Sequence, residues 1–179
     1  MAKKRSLEKW NNQFLIVQKT FESISELYEI GGEKLVTEAC VAYRNPIVFD
    51  NQVSDAIFQL PFYIPGYGGE KMTEDHLIGM SNIVLYIHKR KLNKIWNSSS
   101  DFIQTLKALQ VLLLMPKSLN DKGSFKDWQF DYSNIENCIY WNQKLKREGI
   151  TTLTAENGQF EASVDDVWTE WYNQFKNYL

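Results

Sequence analysis

The chain has 179 residues, 44% hydrophobic and 23% charged, with a formal net charge of −2. That length suits one domain with a core built without disulfides. The near-neutral charge excludes a global field that would gather nucleic acid or an anionic membrane, so any nucleic-acid site has to be a local patch.

Aromatic residues make up 14% of the chain, six of them Trp, which points to an aromatic core or interface. Cys40 and Cys138 are the only cysteines. Each sits in an apolar helical pattern with no second cysteine beside it, so buried free thiols and a cytoplasmic, reducing setting are expected. Met1-Ala2-Lys3-Lys4-Arg5 is basic, but no signal-peptide apolar stretch follows it. No run approaches the roughly 18 apolar residues that span a bilayer, so no membrane partner is expected.

Ser6 is placed to cap a helix reaching about Ile30. Leu7, Trp10, Phe14, Val17, Phe21, Ile24 and Tyr28 alternate steps of three and four, a seam that packs within its own domain or self-associates. Gly31-Gly32 should end it. A second helix is predicted over Glu33 to Arg44, stopped by Asn45-Pro46. A short third helix is predicted through Val53, Ala56, Ile57 and Leu60, and Phe62-Tyr63-Ile64 reads as a brief extended piece. Pro65-Gly66-Tyr67-Gly68-Gly69 is a loop.

The stretch Thr73 to Trp96 reads as the central helix, with Thr73 as its N-cap and Glu74-Asp75-His76 in its first turn. Ser98 to Asp101 should break and cap the chain before an apolar helix over Ser100–Met115, and these two helices are expected to pack as a pair. Phe125, Trp128 and Phe130 read as an aromatic cover, and Asp131 or Ser133 as a cap for a helix over Asn134–Arg147 that Gly149 ends. Asn157-Gly158 between two β-prone runs signals a hairpin. Ser163 is placed to cap a last helix carrying Val164, Trp168, Trp171, Phe175 and Tyr178. The expected fold is therefore mainly α: a single compact helical domain over residues 1–179 with a small C-terminal β hairpin.

Three groups of residues are candidates for function. Asp75 and His76 form the candidate catalytic spot. A helix N-terminus disfavours imidazolium, so His76 would be neutral there, as a general base or metal ligand must be; the plainer reading is acids complementing the helix dipole. Lys89, Arg90, Lys91 and Lys94 are the dense basic run, suited to phosphate contact, although cations also stabilise a helix C-terminus without any ligand. Trp168, Trp171 and Phe175 are the candidate protein-interaction face. His88 reads as a half-buried, satisfied histidine. Lys71 is separated from Gly69 by Glu70 and from Thr73 by Met72, so the loop is no phosphate-binding P-loop. No motif names a metal, a cofactor or a substrate.

One arrangement has a familiar look. Asp75-His76 precedes an apolar stretch, Ser100-Asp101-Phe102 opens a helix, an apolar run leads to Leu119-Asn120, and Tyr140 comes ahead of Gly149-Ile150. Over roughly residues 70–153 this resembles small uncharacterised proteins of tailed phages. The resemblance carries over no activity; it implies an accessory protein acting in the host cytoplasm. The leading expectation is a phage-type protein that contacts nucleic acid or a nucleic-acid enzyme. The alternatives are a non-catalytic interaction or structural module using its aromatic helix faces, with a protein partner or its own copy, and a metal-dependent nuclease at Glu74, Asp75 and His76.

Overall fold

The computed structural model describes residues 6–48, 56–122 and 135–179. These form two compact units, each drawn from separate parts of the chain. One takes the residues up to Ile57, Gly79–Leu109 and Tyr178–Leu179, and the other takes Phe58–Ile78 and Gln110–Asn177.

The first unit is helical. Helix α1 (Leu7–Val48) starts on Ser6, whose Oγ accepts the Lys9 N–H at 3.4 Å. Gly32, at φ 69° and ψ −163°, interrupts it, but the chain resumes its helix directly and runs past Asn45-Pro46. The Gly-Gly pair therefore ends a first helical segment, as expected, and a second segment follows across the kink and runs to Val48, beyond its expected stop at Asn45-Pro46. Of the predicted seam, Trp10, Val17, Phe21 and Ile24 are buried, while Leu7 and Tyr28 are exposed. Helix α2 (Met80–Lys89) and helix α3 (Ser99–Leu109) belong to the same unit. Trp96 sits among Phe14, Phe21 and Phe102 at ring-centroid distances of 6.3, 6.3 and 5.1 Å. Its indole N–H donates to Thr105 Oγ1 at 2.9 Å, and that hydroxyl donates to the Tyr178 carbonyl at 3.1 Å. This satisfied polar relay within an aromatic core fixes the Trp96 ring.

The second unit overturns the expected single helical domain with a small hairpin. It contains a five-stranded mixed sheet in the order β2-β3-β1-β4-β5. The strands are β1 (Phe58–Tyr63), β2 (Met72–His76), β3 (Val111–Pro116), β4 (Thr152–Ala155) and β5 (Glu161–Ser163). Strands β1 and β3 run parallel, and the other neighbours are antiparallel. Two predicted helices become strands here. The first turn expected at Thr73–His76 is β2, paired with β3 from Met72↔Pro116 to His76↔Leu112. The second half of the Ser100–Met115 helix is β3. It is an inner strand, and a continuous apolar run suits a strand covered on both faces as well as it suits a buried helix. Leu60, expected on a third helix, lies in β1.

Pro61 stands in this inner strand where the β1/β3 register shifts between Gln59 and Tyr63, so its missing N–H falls where the ladder is already broken. The predicted hairpin exists as β4–β5, with Gly158 at φ +67° in its turn, but it is the outer part of the sheet. Beyond β3 come a short helix α4 (Lys117–Asn120), a 3-10 turn at Ile135–Ile139 and helix α5 (Trp141–Arg147). Tyr140 separates the last two, so the expected continuous helix over Asn134–Arg147 is broken. Gly149 follows at φ +79°, as its role as a helix stop requires. Helix α6 (Val164–Phe175) is capped by Ser163, whose Oγ accepts the Asp166 N–H at 3.0 Å. Val53, Phe125, Trp128, Phe130, Asp131 and Ser133 lie outside the described residues.

Candidate anion-binding cleft

The basic run lies where α2 ends. Arg90 N–H donates to the Tyr86 carbonyl at 2.9 Å and Lys91 N–H to the His88 carbonyl at 3.0 Å. Lys91 then takes φ 56° and ψ 33° before a 3-10 turn, Leu92–Lys94. Helices commonly stop on a left-handed residue of this kind, but the residue is usually glycine. Among the described residues Lys91 is the one non-glycine at positive φ, a conformation that costs an L side chain roughly 1–2 kcal/mol. Such strain concentrates at sites where a side chain is being aimed.

A cleft of about 360 Å³ opens between this turn and α1. From α1 it is lined by Ser25, Tyr28, Glu29, Glu33 and Val36. Ser25, Tyr28 and Glu29 share one face before the Gly32 kink and Glu33 and Val36 share one after it, so both segments of α1 contribute to the wall. The facing wall is His88, Lys89, Lys91, Asn93 and Lys94. Lys89 is committed to an ion pair with Glu33, which also holds the Glu33 carboxyl below its usual pKa. Lys91 and Lys94 are exposed and make no ion pair among the described residues. Arg90 is exposed and does not line the cleft. Burial lowers the His88 pKa, helped by Lys89, Lys91 and Lys94, so its ring is neutral at pH 7. A second groove shares Ser25, Asn93 and Lys94 with the cleft and carries Glu22 and Glu26. The basic patch read from sequence is thus a mixed site: two uncommitted lysines, a neutral histidine and an exposed tyrosine, with carboxylates along α1.

Asp75 and His76 belong to the sheet unit, on the edge strand β2. Successive strand residues face opposite sides of a sheet, so Asp75 and His76 diverge, and Glu74 shares the face of His76. In a helical first turn Asp75 would stand about 100° from His76 and Glu74 about 200° away, so the strand reverses which carboxylate is the nearer partner. Asp75 pairs with the buried Lys144 of α5 at 3.5 Å. Burial lowers the His76 pKa, with Asp75 raising it and Lys144 lowering it. Among the described residues, no group of three His, Cys, Asp or Glu side chains is gathered closely enough to hold a metal ion.

Of the aromatic set, Trp171 and Phe175 are buried, while Trp168 is half-buried. Trp168 is stacked between Tyr140 and Tyr172, at 5.0 Å and 22° on one side and 5.1 Å and 9° on the other. Its indole N–H donates to the Ile139 carbonyl at 2.8 Å. The sequence reading missed Tyr28, which it assigned to the core, and the Lys89–Glu33 pair, whose partners lie 56 positions apart. Tyr172 was accessible to it, since it lies one helical turn from Trp168.

Among the described residues no helix is long and apolar enough to cross a membrane. Comparison of the chain with protein-family models, curated proteins and solved structures finds no match.

Proposed function

We propose that this chain is a phage-type accessory protein that contacts nucleic acid in the host cytoplasm through the cleft at the end of α2. The phage setting rests on the resemblance over residues 70–153. The observation that carries the contact is the placement of Lys91, Lys94 and His88 on one wall of a cleft whose opposite wall presents Tyr28. Ammonium groups without a carboxylate partner attract phosphate, and a half-exposed ring gives a base a surface to stack on.

Fluorescence anisotropy with single-stranded oligonucleotides tests this reading. Affinity should fall as salt rises, and replacing Lys91 and Lys94 together should flatten the log–log slope by about 1.4, the value for two phosphate contacts on a single strand. Arg90→Ser should leave both affinity and slope close to the parent. No binding to any DNA or RNA at low salt would dispose of the proposal.

A second reading, a non-catalytic interaction module, draws support from the Tyr140–Trp168–Tyr172 stack. Three half-buried rings in one stack suit a protein contact, where such residues concentrate the binding energy. Sedimentation of the parent and of Trp168→Ala tests it: a monomer unaffected by the substitution argues against self-association through this face.

A further inference from the structure

We infer that the cleft takes a terminal phosphomonoester, the phosphorylated end of a strand or a mononucleotide, in preference to an internal stretch of phosphodiester backbone. This rests on the nucleic-acid reading above and narrows it.

The first argument is charge. With Lys89 held by Glu33, the ammonium groups of Lys91 and Lys94 make no ion pair among the described residues, and Glu29 is the other carboxylate lining the cleft. A phosphodiester carries a single negative charge, whereas a monoester carries roughly −1.5 to −2 at neutral pH. The monoester therefore offers the two ammonium groups more charge and one more terminal oxygen than a diester does, enough to engage both despite the Glu29 carboxylate, and the neutral His88 ring adds a hydrogen-bonding group without further charge.

The second argument is extent. The groove that continues from Lys94 along α1 carries Glu22 and Glu26. A backbone passing through the cleft would bring its next phosphates toward these carboxylates, and like charges at short range are disfavoured. A strand that ends at Lys91 and Lys94 leaves on one side only and need not follow the acidic groove. The volume agrees, because about 360 Å³ is near the lower limit of roughly 300–1,000 Å³ for small-molecule sites, room for one nucleotide rather than several. Tyr28 lies on the opposite wall, where the base of that nucleotide can stack.

The third argument is Lys91 itself. A glycine would meet the left-handed turn at no steric cost, yet a lysine stands there, with its charge in the cleft. The same feature supplies a clean variant, since Lys91→Gly removes the charge and relieves the backbone together. A variant that merely damaged the fold would melt earlier, whereas this one should melt at or above the parent temperature.

The experiment compares short single-stranded oligonucleotides carrying a 5′-phosphate, a 3′-phosphate or neither, each labelled at the opposite end or internally, by anisotropy at low salt. A phosphorylated end should bind at least about tenfold more tightly than the unphosphorylated strand, a modest expectation for one added charge beside two ammoniums in a partly desolvated cleft. Adenosine monophosphate should compete where adenosine does not. Competition by the mononucleotide at least as strong as by the phosphorylated strand would identify the free nucleotide as the ligand, and weaker competition the strand end. Lys91→Gly and Lys94→Ser should each erase the preference for the phosphorylated end, with Lys91→Gly keeping its melting temperature. Equal affinity for all three oligonucleotides would overturn the inference and leave nucleic-acid contact standing. Binding of none of them would remove both.

Discussion

Lys144 Nζ lies 3.5 Å from the Asp75 carboxylate, with 8% of the lysine side chain exposed and 24% of the aspartate. Burial lowers the Lys144 pKa while Asp75 raises it, so the pair persists because the carboxylate compensates an ammonium withdrawn from water. Asp75→Asn should cost roughly 3 kcal/mol, because breaking such a pair leaves a buried charge uncompensated. Lys144→Met keeps the stem and discards the charge, and Asp75 retains enough solvent contact to be hydrated, so its cost should be smaller. Urea unfolding of the two variants checks this; equal losses would contradict it.

The histidines give the molecule an acid limb. Burial is the leading cause of the lowered pKa of both His76 and His88, whose unfolded value is 6.5. The unfolded chain then binds more protons than the folded one, so this stability is fully present above pH 6.5 and is lost as pH falls through the folded values. The carboxylates of Glu33, Glu70 and Asp165, also lowered in the folded state, lose their contribution only further down, below their unfolded values of 4.5, 4.5 and 3.8. The urea midpoint should therefore fall between pH 7 and pH 5, and the double variant His76→Gln/His88→Gln should flatten that portion of the profile. An unchanged slope in the double variant would assign the loss to other groups.

Trp168 and Trp171 of the sheet unit should respond differently to the same change. Trp141 and Trp171 pack edge to face at 5.9 Å, and each buries an indole N–H that has no hydrogen-bond partner among the described residues. Trp171→Ala should cost roughly 3–5 kcal/mol as a large core truncation. Trp171→Phe loses part of the ring but also removes an unsatisfied donor, so it should cost clearly less. Trp168→Phe takes away the donor to the Ile139 carbonyl, at about 1 kcal/mol. Thermal melts of the set give the order, and a Trp171→Phe as damaging as Trp171→Ala would refute it.

Both thiols should be silent in the folded protein. Cys40 and Cys138 are buried, burial pushes the Cys40 thiol up to about 11, and Cys138 is raised as well, burial again leading. Since the thiolate is the reactive form, labelling at pH 8 should wait for opening of the structure and accelerate in urea along the unfolding transition. Rapid labelling of either cysteine in buffer would contradict their placement.

What the sequence made legible was local. The Ser163 cap, the Gly149 stop, the Asn157-Gly158 turn and the buried thiols each depend on residues within a few positions of one another. The sheet did not. Thr73-Glu74-Asp75 carries a sound helix-cap signal, and only pairing with Leu113–Met115, 38 to 42 positions on, turns it into a strand. The helical period of Phe102, Leu106 and Leu109 continues to Leu113 by coincidence of spacing, so nothing local marks the change of structure at Gln110. The basic run was readable as charge, but the neutralisation of Lys89 by Glu33 and the carboxylates of the adjoining groove come from α1, far away in sequence.

The connectivity of the two units has a consequence for dissecting the molecule. The chain passes from one to the other after Ile57, after Ile78, after Leu109 and after Asn177. No single cut of the gene yields either unit as one continuous polypeptide. A protease nick after Leu109 would sever one connection and free neither, since each unit keeps segments from both sides of the break. Fragment mapping, the usual route from a binding activity to a region, would lose both units at once, so point substitutions are the means by which an activity can be assigned to one of them.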